Sequence, residues 1–256
     1  VSNGSLTLNN DGSFTYTPNG DFNCTDTFTY NATDTLGGVS NTETVTITVD
    51  AVNDEPDFTA ANPPAVDEDA GTQTIAGWAT FDAGPSNEDA SQSVSSYNVS
   101  NISNPVLLST PPAVDTAGTL TYTPAPNAFG TSTFDLSVTD DGGTPNGGDD
   151  TSPTQTFTIT VNSINDPPVA TDVTYSVDED HTLTEAAPGV LGNDSDPVEG
   201  DCLIAVLVTI VSNGSLTLNN DGSFTYTPNG DFNCTDTFTY NATDTLGGVS
   251  NTETVT

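Results

Sequence analysis

Lysine and arginine are absent from this chain of 256 residues, which carries 36 acidic residues, one histidine and a formal net charge of -36. Since nucleic-acid backbones are bound largely through those two cations, nucleic-acid binding is excluded. A phosphate-binding P-loop and a Schiff-base site each need a lysine, so both are excluded as well. His181 is the single histidine, and we read it as a metal ligand or a solvent-facing turn residue. With so few groups for acid–base chemistry, we predict that the chain is not an enzyme.

Long apolar runs are missing too. No stretch reaches the roughly 20 apolar residues that a membrane-spanning helix needs, so we predict no membrane-spanning segment. Hydrophobic residues make up 33% of the chain and alternate with threonine, as in TFTITV over residues 156–161. This period of two predicts β-strands and argues against disorder.

The chain has too few cationic side chains to balance its acidic residues. Two neighbouring carboxylates repel by about 1 kcal/mol in bulk water and by about 4 kcal/mol near a protein surface. Ca²⁺ takes six to eight oxygen ligands and is available outside the cell. We therefore predict Ca²⁺ as the cofactor wherever acids converge. The alternative is that the acids are dispersed and keep the protein soluble.

An internal repeat organises the chain, because residues 1–46 return unchanged as residues 211–256. A repeat of 210 residues suits two sandwich domains of about 100 residues each. Proline-containing segments at 49–56 and 161–168 follow strand-like runs and interrupt strand pairing. We predict half a domain over 1–54, a domain of a second type over 55–166 and a domain of the first type over 167–256.

Residues 167–256 predict seven short strands and a hairpin turn at Asp221-Gly222. The predicted fold class is all-β, with tandem seven-strand Greek-key β-sandwiches arranged end to end. Residues 1–54 hold only the last four strands of such a domain. We expect the missing strands from a continuing chain or, alternatively, from a neighbouring subunit by strand complementation. The strands are predicted near 171–177, 182–191, 203–211, 215–219, 223–228, 235–242 and from 251 onward.

Two runs of the first domain type carry a family resemblance: PPVATDVTYSVDEDHTLTEAAPGVLGNDSDPVEGD and NGSLTLNNDGSFTYTPNGDF, followed by DTFTYNATD. They resemble tandem cadherin-like or immunoglobulin-like repeat domains of giant bacterial surface proteins. GTLTYTPAPNAFGTSTFDLSVTDDGG in the middle of the chain is similar to a sister type. The resemblance implies extracellular stalks and adhesins, often calcium-dependent.

From this resemblance we predict a structural or adhesive segment of a long, extracellular, cell-surface fibre whose chains associate with one another. Any specific surface ligand is expected at a tip outside this chain. The alternative is a glycan-binding or accessory module array of a secreted enzyme, which requires exposed aromatic side chains on one face.

Calcium is expected at the two domain boundaries. In a seven-strand sandwich the loops after the second and sixth strands lie at the end that faces the preceding domain, and cadherins bind Ca²⁺ at acidic linkers there. Near residue 53 the predicted ligands are Asn53, Asp54, Asp82, Glu88, Asp89, Asp140 and Asp141. Near residue 165 they are Asn165, Asp166, Asp194, Asp196, Asp201 and Asp244, with Asp67, Glu68 and Asp69 from the middle domain.

Cysteines and aromatics allow two further predictions. Cys202 and Cys234 could form a disulfide, as secreted cysteine pairs do, yet the predicted strand order places them at opposite ends of the sandwich. Cross-links between chains and free thiols therefore stay open. Core positions are predicted for Trp78 and for the alternating aromatics of the first copy, Phe14, Tyr16, Phe28 and Tyr30.

Overall fold

Strands with the expected alternation run along the computed structural model, which describes residues 1–88 and 91–256. The first strands are β1 Gly4–Leu8, β2 Phe14–Pro18, β3 Thr25–Tyr30, β4 Glu43–Thr48, β5 Asp57–Thr59, β6 Val66–Asp67, β7 Gln73–Ile75 and β8 Thr80–Asp82. They are followed by β9 Val94–Ser100, β10 Leu108–Val114, β11 Leu120–Pro124, β12 Gly130–Asp140 and β13 Gln155–Asn162. The last are β14 Leu183–Glu185, β15 Ile204–Thr209, β16 Gly214–Leu218, β17 Phe224–Pro228, β18 Phe238–Thr243 and β19 Glu253–Val255.

The remaining regular elements are short 3₁₀ helices at Pro105–Leu107, Pro145–Gly147 and Gly189–Asn193. Among the described residues, no helix has the length and apolar character needed to span a membrane. The all-β prediction is confirmed.

The chain divides into two compact units. The first contains Val1–Val66, Ala70–Pro124 and Thr131–Thr160. The second contains Asp67–Asp69, Ala125–Gly130 and Val161–Thr256.

Two antiparallel pairs open the first unit. Strand β1 pairs with β2 through a turn in which Gly12 has φ of 88°, and β3 pairs with β4 from Thr25 opposite Thr48 to Tyr30 opposite Glu43. Glycine suits this turn because L residues with a side chain rarely adopt a positive φ.

The rest of the first unit packs apolar side chains from two sheets, one ordered β10-β11-β7 and the other containing β13, β12 and β9. Alternate residues of β12 point inward, from Ser132 through Phe134 to Asp140. The half-buried Trp78 ring lies 4.9 Å from that of Phe157, and its Nε1 donates to the carbonyl of Ala61 at 2.7 Å. Trp78 thus packs against the buried rings of Phe134 and Phe157 but is itself only half-buried, so the core prediction holds for it in part.

Two three-stranded sheets form the second unit, ordered β14-β17-β16 and β15-β18-β19. Alternation on β18 buries Phe238, Tyr240 and Ala242, which meet Phe224 of β17 in one apolar core. The predicted Asp221-Gly222 hairpin joins β16 to β17, with the Gly222 amide donating to the carbonyl of Asn219 at 2.9 Å.

Two strand predictions in this unit were wrong in part. Residues 182–191 form a strand only over Leu183–Glu185, because Pro188 interrupts pairing and the 3₁₀ helix begins at Gly189. Residues 171–177 contain an isolated parallel bridge between Val173 and Val255 in place of a long strand.

The core prediction for the first copy was also wrong in part. Phe28 is buried and Tyr16 half-buried, but Phe14 is 45% exposed and Tyr30 is 42% exposed. The physical reason is that, within residues 1–88 and 91–256, β1 and β2 form a two-stranded sheet, as do β3 and β4, and no strand pairs with them as β14 and β15 pair with β17 and β18.

Candidate metal centre

Three carboxylates of the second unit converge on one point. Glu68, Asp166 and Glu199 each offer an oxygen, and these oxygens lie within 4.8 Å of one another. Glu68 is 1% exposed, while Asp166 and Glu199 are half-buried. At that separation two ionised carboxylates repel by about 1 kcal/mol in bulk water and by about 3.5 kcal/mol at an effective dielectric constant of about 20.

Backbone hydrogen bonds fix Glu68 in place. It lies in the turn after β6, where Asp69 has φ of 62°. Its amide donates to the carbonyl of Asn162 at 2.9 Å, and its Oε1 accepts from the amide of Ile164 at 2.9 Å. The turn is thereby tied to the end of β13 and the segment that follows it.

An aspartate turn presents Glu199. Oδ1 of Asp196 accepts from the amides of Val198 and Glu199, both at 3.1 Å, as aspartate does in turns. The Glu199 carboxylate then lies 3.4 Å from the amide of Asp166. Asp166 immediately precedes Pro167-Pro168, which have no N–H groups to donate to a strand ladder.

Several oxygens around this point are buried without a hydrogen-bond partner in the described part of the chain. They are Oε2 of Glu68, Oδ1 of Asn165, Oδ2 of Asp166 and Oδ2 of Asp196. A buried polar atom left unpaired costs about 1–3 kcal/mol, and more when it is charged. Native structures satisfy such atoms with protein, water or an ion. Oxygen atoms alone, several of them carboxylate, are the ligand set that Ca²⁺ prefers, so these residues fit the predicted metal.

Asp244 orients Asn165, the uncharged residue among those with unpaired oxygens. Its Oδ2 accepts from Nδ2 of Asn165 at 2.9 Å, and its Oδ1 accepts from the amides of Leu246 and Gly248, both at 2.8 Å. Burial alone would raise the pKa of Asp244, but these hydrogen bonds outweigh it and lower the pKa. With its nitrogen engaged, Asn165 turns its unpaired oxygen away from Asp244.

A second cluster repeats this arrangement in the first unit. Nδ2 of Asn53 donates to Oδ1 of Asp140 at 3.2 Å and to the carbonyl of Asp149 at 2.6 Å. The amide of Asp54 donates to Oε1 of Glu88 at 3.2 Å. Asn53, Asp54, Glu88 and Asp140 thus occupy the positions that Asn165, Asp166, Glu199 and Asp244 occupy in the other cluster.

The environment of the second cluster is electrostatically crowded. Glu88 is buried, and this burial, together with the charges of Asp54 and Asp140, raises its pKa despite the hydrogen bond from the Asp54 amide. Oε1 of Gln92 is buried without a partner in the described residues. A Cβ at Gly142 would lie 1.9 Å from Oδ1 of Asn53, so a side chain there would displace the Asn53 amide.

The other acids predicted near residue 165 have separate partners. Asp194 accepts from Tyr240 at 2.9 Å and from the amide of Thr171 at 2.9 Å, and burial raises its pKa against these bonds. The remaining three accept hydrogen bonds elsewhere: Asp67 from Asn162 at 3.1 Å, Asp69 from the amide of Asn127 at 3.3 Å, and Asp201 from Thr245 at 3.0 Å.

Near residue 53 the outlying predicted acids behave similarly. Asp82 accepts from the amide of Gly84 at 3.1 Å. Asp141 accepts from the amide and the hydroxyl of Ser93, both at 2.8 Å, and these bonds lower its pKa. Asp89 lies outside the residues that the structure describes.

Glu199 was not among the ligands predicted from sequence. A signal for it exists, since a glutamate follows the Asn-Asp pair at a similar distance in both clusters. Glu88 lies 34 positions after Asp54, and Glu199 lies 33 positions after Asp166.

The predicted Cys202–Cys234 disulfide is not formed, and Cys24, Cys202 and Cys234 are exposed free thiols among the described residues. Ile204 pairs with Thr243 at one end of β18, whereas Cys234 precedes the other end at Phe238. Six strand residues span about 20 Å, far beyond the ~7 Å Cα separation that a disulfide tolerates. The strand-order argument therefore holds.

Comparison with known proteins agrees with this architecture. The human structure CDH23 EC21-23 matches with a TM-score of 0.55 and 17% identity, covering 96% of this chain and 78% of that one. The mouse structure Cadherin-23 EC22-24 matches with a TM-score of 0.60 and 17% identity, covering 95% and 78%. At this identity both show the fold alone. No curated protein matches the chain significantly.

The family model described as bacterial cadherin-like domain matches residues 1–51 and 165–256, more than half of the chain. Domains of this family are generally non-enzymatic, and their fold indicates an adhesive or structural extracellular module. The resemblance predicted from the sequence is thereby confirmed. This chain belongs to the bacterial cadherin-like domain family.

Proposed function

We propose that this chain is a structural and adhesive segment of a long extracellular repeat protein, a surface fibre or stalk that Ca²⁺ stiffens at its domain boundaries. Family membership, the all-β fold and the unchanged repeat of residues 1–46 at 211–256 support the proposal. Under it, the domains are 1–54, 55–166 and 167–256, and the chain has no catalytic role. Its partners are other copies of the repeat protein at the cell surface and, at a tip elsewhere, a surface ligand.

The observation that carries the metal is the group of unpaired buried oxygens around Glu68, Asp166 and Glu199. These residues come from three distant parts of the sequence, and no lysine or arginine is available to balance their charge. Bound Ca²⁺ would supply positive charge that all three carboxylates share. Holding the three segments together is then the property that stiffens the boundary near residue 166.

The supporting residues have separate roles. Asp196 fixes the turn that presents Glu199 and offers its own Oδ2, and Asp244 holds the amide of Asn165 so that its oxygen is available. At the boundary near residue 54, Asp54, Glu88 and Asp140 would hold a second ion. Asn53 differs from Asn165 there, because its Oδ1 already accepts from Nε2 of Gln92 at 2.5 Å.

Thermal unfolding with Ca²⁺ and with a chelator tests this function. A ligand at about 100 times its Kd stabilises the folded state by about 2.7 kcal/mol, which corresponds to a rise in Tm of about 10–20 °C for a domain of roughly 100 residues. The Glu68→Gln and Glu199→Gln variants should lose most of this rise. Equal Tm values in Ca²⁺ and in chelator would refute the metal while leaving the fold intact.

Glu179 provides the matched control. It occupies the same Asp-Glu-Asp sequence as Glu68, and Asp180 after it has φ of 62°, as Asp69 has. Glu179 is exposed, however, so Glu179→Gln should keep the full response to Ca²⁺. Calorimetric titration of the same variants with Ca²⁺ separates a lost binding site from a general loss of stability.

The surroundings of Trp78 do not favour the glycan-binding alternative, in which this side chain would be the platform for a sugar ring. Its ring packs 4.9 Å from Phe157 and 6.0 Å from Phe134, and its indole N–H is bonded to the backbone. A sugar would have to displace these contacts to stack on it.

A further inference from the structure

The two identical copies of the repeat differ in what covers them. Phe14 is 45% exposed, whereas Phe224, the same position of the second copy, is 2% exposed. Tyr30 is 42% exposed, whereas its counterpart Tyr240 is fully buried. Because the sequences of 1–46 and 211–256 are the same, composition cannot cause the difference. Its cause lies in the residues that surround each copy.

Residues 167–210 provide the cover in the second copy. Strand β14 pairs with β17, and β15 pairs with β18, so this segment adds one strand to each sheet. Val190 and Leu191 are buried in the core beside Phe224, and the Tyr175 ring lies 5.1 Å from that of Phe224. The Tyr240 hydroxyl donates to the carbonyl of Val190 at 2.8 Å.

The first copy keeps the geometry of an acceptor without that cover. Strands β1 and β2 have the register of β16 and β17, and Tyr16 bonds Asp26 at 3.1 Å as Tyr226 bonds Asp236 at 3.1 Å. The Phe14 and Phe28 rings are 5.2 Å apart at 67°, close to the 5.6 Å and 65° of their counterparts. A groove of about 690 Å³ lies over this face, and its apolar lining includes Leu8, Phe14, Phe28, Tyr30 and Val45.

The equivalent turn glycines of the two copies, Gly12 and Gly222, also differ in what lies beside them. A Cβ on Gly222 would lie 2.0 Å from the carbonyl oxygen of Pro188, and the Gly222 carbonyl accepts from the amide of Val190 at 3.0 Å. A Cβ on Gly12 would meet no atom within 4 Å. The space that Pro188 and Val190 fill in the second copy is open in the first.

We propose that the open face of residues 1–48 is a docking site for a polypeptide segment with the sequence of residues 167–210, supplied as a second copy of that segment. One strand of the segment would add to the free edge of β2 and another to the free edge of β3. The chain contains two identical acceptor faces and one covering segment, which packs on residues 211–256. A second copy of the segment must therefore come from outside these 256 residues.

Titration of the full chain with a synthetic peptide of residues 167–210 tests the proposal, with Cys202→Ser in the peptide to prevent oxidation. Calorimetry and sedimentation should give one peptide per chain. Hydrogen exchange should slow in fragments that cover β4 and extend past residue 48, because that sequence occurs once in the chain. Phe14→Asp should weaken binding at least about 100-fold, since it buries a carboxylate in an apolar site.

Two controls keep the result clear. Leu36→Ser changes a loop residue that is 95% exposed and lies outside the groove, so it should bind as the unchanged chain does. A peptide carrying Val190→Asp and Leu191→Asp should not bind the unchanged chain, and this comparison leaves the acceptor intact.

Three outcomes overturn the proposal. The first is that the peptide does not bind. The second is that it binds the Phe14→Asp variant as tightly as the unchanged chain. The peptide would then bind at another site, for example by replacing the chain's own residues 167–210 on residues 211–256. The third is self-association of the chain without peptide that Phe14→Asp abolishes, because two copies of the face would then cover each other. None of these outcomes depends on Ca²⁺ at the acidic clusters.

Discussion

Replacing Phe224 by alanine, and Phe14 by alanine in a second protein, compares the same substitution in the same local sequence. Phe224 is 2% exposed and Phe14 is 45% exposed. For a side chain of ~200 Å² this difference is about 85 Å², or about 2 kcal/mol at ~25 cal/mol per Å². Buried Phe→Ala changes cost about 3–5 kcal/mol once the cavity is included. We expect such a loss for Phe224→Ala and about 1–2 kcal/mol for Phe14→Ala.

Hydrogen exchange by mass spectrometry can assign each loss, although the two copies yield identical fragments. Fragments that contain β15 report on the second copy, because Ile204–Thr209 is outside the repeat. Their exchange should accelerate at least about 100-fold in Phe224→Ala, since each 1.4 kcal/mol is a factor of ten. Phe14→Ala should leave it unchanged. If each substitution destabilised its own copy by the same free energy, the packing of residues 167–210 on the second copy would not be the cause of its greater stability.

Three further predictions follow from the hydrogen bonds and thiols. Burial would raise the pKa of Asp26, but bonds from the amides of Asn3, Ser2 and Thr27 and from Tyr16 outweigh it and lower the pKa to about 2. Because the pKa of Asp26 in the unfolded chain is about 3.9, the stabilisation by its ionised form is complete above that value and is lost as the pH falls toward 2. Carboxyl NMR titration of the chain, with the Asp26→Asn variant to assign the signal, measures this pKa. A value near 4 would contradict the prediction. Tyr240→Phe removes the donor to Val190 and Asp194 and should cost about 1–3 kcal/mol in urea unfolding, whereas Tyr30→Phe should cost little because Tyr30 is 42% exposed. A thiol reagent should label Cys24, Cys202 and Cys234 in the folded protein without prior reduction. Fewer than three labelled cysteines would show that a disulfide has formed.

Local sequence was a good guide wherever neighbours in the chain decide the structure. The Asp221-Gly222 turn and the alternation on β18 are set by residues a few positions apart, and both follow the predicted pattern. The strand predicted over 182–191 ended early because Pro188 cannot donate to a ladder, a signal that was present in the sequence.

Tertiary surroundings decided the rest. The alternation that marks Phe14 as a core residue is the same at Phe224, and only the segment beside each one determines its burial. For the acids, loop order brought Asp166 and Asp244 into the prediction, but it could not separate ligands from turn-forming carboxylates. Asp194 bonds Tyr240, whereas Glu199 joins the carboxylate cluster because the Asp196 turn points it there.

The identity of the two acceptors has a consequence for the folding equilibrium of the chain once all 256 residues are present. Strand β14 can choose between β17, about 40 residues away, and β2, about 170 residues away, and no side chain tells these two partners apart. Loop-closure entropy favours the nearer partner by about 1.2 kcal/mol for this fourfold ratio, or about eightfold in population. The intervening domain thus acts as a spacer that makes correct pairing depend on distance along the chain, and shortening it would raise the frequency of swapped strands.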